Sequence, residues 1–203
     1  MELTNLSEIQ LDALREVGNI GAGNAATALS KLINRRISMS VPKASIIPLG
    51  AVHRLVGPET PVWAIYLQME GDLNGHLLFL LPEDRALVMV DLLMGREPGT
   101  TAQIDELAES ALGEVGNILT SNYLIAMGNF VKLDLHPSPP LTANDMAGAV
   151  VDTVIAQLAA KSDAVLALET ELSVTEANGL VGYLFMFPTP DELPKILGAL
   201  GLS

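Results

Sequence analysis

The tetrapeptide Glu-Val-Gly-Asn occurs twice, at Glu16 to Asn19 and again at Glu114 to Asn117. The register between the copies is wider than four residues: Asp12, Glu16, Asn19 and Pro42 are answered by Ser110, Glu114, Asn117 and Pro140, each 98 positions later. Chance rarely keeps one offset over such a span. The chain is therefore read as two related halves, each carrying an equivalent site.

On an α-helix, positions i, i+4 and i+7 fall within roughly 60° of one another. Asp12, Glu16 and Asn19 thus form one polar stripe, and Ser110, Glu114 and Asn117 form another. Glu offers a negative charge to a partner's cation. Asn offers both a donor and an acceptor, enough to hold a water, but it cannot shuttle protons. Such a pair favours positioning over general base catalysis. Positioning is the main demand of phosphoryl transfer once a metal neutralises the phosphoryl oxygens.

Of the 203 residues, 49% are hydrophobic and 17% charged, which indicates a packed globular chain and argues against a disordered one. The net charge of −13 and the lack of any Lys/Arg run longer than Arg35-Arg36 argue against a nucleic-acid partner and favour a basic protein surface. The absence of Cys excludes thiol catalysis, Cys-based zinc sites and disulfides. With no signal-peptide pattern at the start and no apolar run of membrane length, a soluble cytoplasmic protein is expected.

A capping box at Ser7 and Gln10 opens a long helix to about Asn34, which carries the first site. Gly18, Gly21 and Gly23 weaken that helix and call for a packing or functional reason. Residues 37–48 read as a strand with Pro42 at an edge or bulge, followed by strands at about 62–70 and 76–81 and a helix at 83–94 ending at Gly95. Arg96 to Ala102 reads as the junction. The second half repeats the order: a helix from about Asp105 to Met127, strands near 130–136, 164–175 and 181–187, and a helix over 191–200. An additional helix at about 144–160 breaks the symmetry. The expectation is one domain over 1–203, built from repeats at about 8–95 and 104–201.

An acid and an amide on an exposed helix face are ordinarily just solvated surface. Here the surroundings drifted while Glu, Gly and Asn stayed identical. Other candidates are weaker. Gly18 to Gly23 suggests a phosphate loop but sits within a helical pattern, with no preceding strand. His53, His76 and His136 lack ligand-like spacing. Asp12 and Ser110 suit local structural roles, and Pro42 and Pro140 suit shaping of strands.

These residues resemble the motif of the CheC, CheX and FliY phosphatases of bacterial and archaeal chemotaxis: Asp or Ser, three residues, Glu, two residues, Asn, twenty-two residues, Pro. Both copies fit it in full. The resemblance implies an α/β (α+β) fold with pseudo-two-fold symmetry, two long helices lying beside a continuous mixed or antiparallel sheet built from both halves. It further implies hydrolysis of the aspartyl-phosphate on the response regulator CheY. Glu16 and Glu114 would pair with the regulator's Lys, while Asn19 and Asn117 would orient the attacking water. Mg²⁺ would come with the regulator, and the chain would need no cofactor or metal of its own. A second partner, the receptor deamidase CheD, is also implied, and Asp145 near the additional helix is the candidate contact. A noncatalytic module, either a FliM-like scaffold or a regulator of the deamidase, is the alternative.

Overall fold

In the computed structural model, residues 6–55, 57–159, 164–174 and 182–202 are described. Ser7 caps α1 (Glu8–Ile33): its hydroxyl accepts the N–H of Gln10, whose side chain in turn accepts the N–H of Ser7. Both halves of the expected capping box are present. Asn34 ends the helix in the left-handed conformation, φ 51°. An extended β1 (Ile37–Pro48) and a 3₁₀ segment (Leu49–Leu55) lead into the hairpin of β2 (Pro61–Gly71) and β3 (Gly75–Pro82), then α2 (Glu83–Leu93).

The second half begins at α3 (Glu106–Val131), capped by Asp105, whose carboxylate accepts the N–H of Ala108. It continues through β4 (Leu135–Pro137), β5 (Leu141–Met146), α4 (Ala147–Leu158), β6 (Ala164–Val174) and β7 (Gly182–Pro188). A 3₁₀ turn (Pro190–Glu192) and α5 (Leu193–Ala199) follow.

The seven strands among the described residues form one sheet in the order β1-β6-β7-β3-β2-β4, with β5 also paired to β2 and all of these pairings antiparallel. The halves exchange their outer strands. β1 of the first lies on β6 of the second, and β4 and β5 of the second lie on β2 of the first. The expected continuous sheet is present, antiparallel throughout, with its pseudo-symmetry axis between β3 and β7.

Alternation along the strands sends side chains to opposite faces. Trp63, Ile65, Leu67, Phe79, Leu166 and Leu168 join the core beneath α1, α2, α3 and α5. Val62, Ala64, Leu78, Leu80, Phe185 and Phe187 join a smaller core beneath α4 and the 3₁₀ segment. α1 and α3 pack on each other through a close approach. A Cβ added to Gly21 would stand 2.9 Å from Cδ2 of Tyr123, a fully buried residue of α3. Packing is thus the reason for Gly21, and Gly18 likewise faces Val41 and Tyr123. Gly23 is exposed with open space around it, so packing gives no account of that glycine.

Three expectations need correction. Phe130 belongs to α3, and the strand predicted near 130–136 instead starts at Leu135. The additional helix starts at Ala147, because residues 141–146 form β5, so Asp145 is a strand residue. The helix is also less of an insertion than expected: Leu49–Leu55 and α4 occupy equivalent places after β1 and β5. The predicted strand ends at residues 175 and 181 lie outside the described residues.

Candidate functional site

Each Glu-Val-Gly-Asn sits in the first half of a 26-residue helix, with alternate burial that follows the helical period. Val17 and Gly18 are buried, Glu16 is exposed and Asn19 half-buried; Val115 and Gly116 are buried, Glu114 is exposed and Asn117 half-buried. Carboxylate and carboxamide therefore stand side by side on an accessible face in both copies. Because β1 and the β4/β5 pair form opposite edges of the sheet, the two sites lie toward opposite sides of the molecule.

The two edge strands bend alike. In β1 the register passes from Ser40↔Glu171 to Lys43↔Glu169, so one extra residue bulges out around Val41 and Pro42. Between β4 and β5 the register passes from Met69↔Pro137 to Tyr66↔Leu141, again one residue in excess, around Ser138, Pro139 and Pro140. Both motif prolines occupy edge-strand bulges, where a missing N–H costs the ladder nothing.

At the first site the bulge reaches the helix. The Val41 N–H donates to Asn19 Oδ1 at 2.8 Å. At the second site the position equivalent to Val41 is Pro139, which has no N–H. Among the described residues, Asn117 Oδ1 instead meets only the Ser121 hydroxyl, at 3.5 Å, the outer limit of a hydrogen bond.

Asp12 is exposed and pairs with Arg15 at 3.0 Å, one turn along α1. This is a local contact within the helix, and a pair this exposed contributes little to stability. Ser110 is exposed. Asp145 is not part of either site. It lines a cleft with Ala64, Tyr66, Leu141, Ala149 and Thr153, on the α4 side of the sheet. The two histidines whose side chains are described, His76 and His136, are not gathered there either. His76 is buried against the Tyr66 hydroxyl at 2.7 Å, and His136 lies 3.9 Å from Glu70 at the surface. Among the described residues no three His, Cys, Asp or Glu side chains come together to hold a metal. No helix among them is long and apolar enough to cross a membrane.

Sequence reasoning missed one feature of the face. Ile9 is 70% exposed and Leu107 64%, and they stand at equivalent positions 98 apart, seven residues before Glu16 and Glu114. Seven residues make nearly two full turns, which returns each apolar side chain to the azimuth of its glutamate. Exposure of both members of a repeat pair was the signal, and it is visible only once burial is known.

The model of the CheC-like family matches residues 9–46 and 107–142, the two segments that run from the start of each long helix into the edge strand. A CheY-P phosphatase CheC of Bacillus subtilis is 37% identical over 98% of this chain and 97% of its own length. The Thermotoga maritima FliY structure superposes with a TM-score of 0.78 at 21% identity, covering 98% of this chain and 99% of that one. A CheX-CheY-BeF3-Mg²⁺ complex from Borrelia burgdorferi matches at a TM-score of 0.54 and 16% identity, over 83% of this chain and 94% of that chain. On the sequence identity, the coverage and the twice-repeated motif together, this chain belongs to the CheC-like family.

Proposed function

We propose that this protein is a phosphatase that hydrolyses the aspartyl-phosphate of a CheY-type response regulator, with a working site on each long helix. The observation that carries the reading is an exposed Glu beside a half-buried Asn at the same place on each long helix. It is supported by the relative named as a CheY-P phosphatase.

Each part of the site has a limited task. Glu16 or Glu114 pairs with a lysine of the regulator and fixes the approach of the two proteins. Asn19 or Asn117 enters the regulator's site and holds a water in line with phosphorus. The water oxygen bonds to phosphorus as the bond from phosphorus to the aspartyl oxygen breaks. The regulator keeps its aspartate side chain as a free carboxylate, and inorganic phosphate leaves carrying both of the water's protons. Mg²⁺ brought by the regulator would neutralise the phosphoryl oxygens, and this chain supplies position alone. Ile9 and Leu107 add apolar contact beside each glutamate and lengthen the docking face.

The face around Asp145 is assigned to a second partner. β5 is an edge strand with Leu141 and Met146 exposed, and the cleft it lines lies on the α4 face of the sheet, opposite the face covered by α1 and α3. We assign to it the receptor deamidase CheD, which could then bind without blocking either site. Phosphate release from a phosphorylated regulator, with Mg²⁺ and catalytic amounts of this chain, tests the main reading. Multiple turnovers support it. Stoichiometric binding without release favours the noncatalytic module instead.

A further inference from the structure

The two sites share a motif, yet their asparagines are not held alike. Asn19 Oδ1 accepts the Val41 N–H at 2.8 Å, across 22 residues of chain. A bulge frees this N–H from the strand ladder, and Val41 itself is buried, 2% exposed, which keeps the bond away from competing water. The second site has the same bulge, held by Ser138: its N–H donates to Gln68 O at 2.9 Å, and its hydroxyl accepts the Gln68 N–H at 2.9 Å. Pro139 takes in sequence the place of Val41, though it is exposed where Val41 is buried, and with the Ser138 N–H already used and none on Pro139 or Pro140, that bulge has no donor to offer Asn117.

We propose that the Val41 N–H is a positioning group for the Asn19 carboxamide, and that Pro139 withholds its counterpart from Asn117, so the first site is the faster one. The inference rests on the phosphatase reading above. A carboxamide can turn about its last torsion and present oxygen or nitrogen to the same point. At the first site the bond fixes that choice: the oxygen faces the bulge, one lone pair stays free, and both N–H groups point away from it. At the second site both orientations are open, and the weak contact to Ser121 selects neither. Ordering the side chain must then occur with the regulator bound, which lowers the turnover number and leaves KM nearly unchanged.

Single-site proteins isolate the effect. Asn117→Ala leaves only the first site working, and Asn19→Ala only the second. With a phosphorylated CheY-type regulator and Mg²⁺, the first should turn over about fivefold faster than the second, at similar KM. Pro139→Val restores the missing N–H. In the Asn19→Ala protein it should raise kcat by about the same factor, and in the Asn117→Ala protein it should change nothing. Hydrogen exchange of the Val41 amide gives a readout independent of activity: it should quicken in Asn19→Ala and stay at the wild-type rate in Asn117→Ala. Equal kcat values for the two single-site proteins, or a folded Pro139→Val protein whose second site gains nothing, would overturn the proposal. So would a Val41 amide indifferent to Asn19. Undiminished turnover in the Asn19→Ala/Asn117→Ala protein is a different result, which removes the phosphatase reading itself.

Discussion

The Asp91 carboxylate of α2 accepts the Thr101 hydroxyl at 2.6 Å, and with it the backbone N–H groups of Gly99, Thr100 and Thr101 at 2.7 to 3.0 Å. A fully buried acid in the first half thus fastens the segment that leads to the second. Burial alone would raise its pKa. The Thr101 hydroxyl and the three backbone donors outweigh burial and bring it below the ordinary carboxylate value.

Asp91→Ala should therefore cost about 2 to 4 kcal/mol, since it strands several buried donors at once. The loss should appear as a lowered midpoint in urea denaturation, with phosphatase activity per folded molecule retained at both sites.

Glu192 is held in a similar way. Burial works to raise its pKa, but the Lys195 ammonium at 2.6 Å and the Asn74 amide at 3.0 Å bring it down. Both acids have folded pKa values below their unfolded ones, so their stabilisation is complete above about pH 4 to 4.5. It fades as pH falls through the lower folded values. Thermal melts from pH 7 to pH 3 should show a loss of stability concentrated below pH 4.5. In Asp91→Asn that loss should be smaller, from a lower starting point.

Gly21→Ala should destabilise the protein by about 1 to 2 kcal/mol, although alanine is the better helix former by up to about 1 kcal/mol. The new methyl would stand 2.9 to 3.0 Å from three ring carbons of Tyr123, and that ring is fully buried between α1 and α3. At Gly23, with nothing near, the same change should be neutral or stabilising. Parallel thermal melts of the two variants check the contrast.

Ile9→Ser and Leu107→Ser should leave the fold intact, because both side chains face solvent. Together they should raise KM for the phosphorylated regulator about threefold to tenfold, with kcat little changed, as expected for loss of about 1 kcal/mol of docking contact on each side. Steady-state kinetics over a range of regulator concentrations separates the two parameters.

Much of this architecture was written locally in the chain. The Ser7-Gln10 box, Gly18 and Gly21 of α1 and the prolines of the bulges each have a short-range signature and a matching place in the fold, and the repeated Glu and Asn stand on one accessible face of each long helix. β5 was not legible, since its six residues are largely exposed and the short alternation of Leu141, Thr142, Ala143 and Asn144 breaks at Asp145. It is a strand because β2 offers it an edge. The exchange of outer strands between halves is likewise a matter of long-range pairing. Asp91 carried no motif at all, and only burial and four converging donors mark it out. The inequality of Asn19 and Asn117 stood in the sequence as Val41 against Pro139, but it acquired meaning only when the bulge was seen to reach the helix.

The most direct measurement is the decay of radiolabelled aspartyl-phosphate on a CheY-type regulator with Mg²⁺, in the presence of this protein or of its Asn19→Ala/Asn117→Ala form. The wild type should accelerate the decay, and the double variant, still folded and still binding through Glu16 and Glu114, should be slower on the order of 10²-fold. Equal acceleration by both would contradict the role given to the two asparagines, and no acceleration by either would contradict the phosphatase itself.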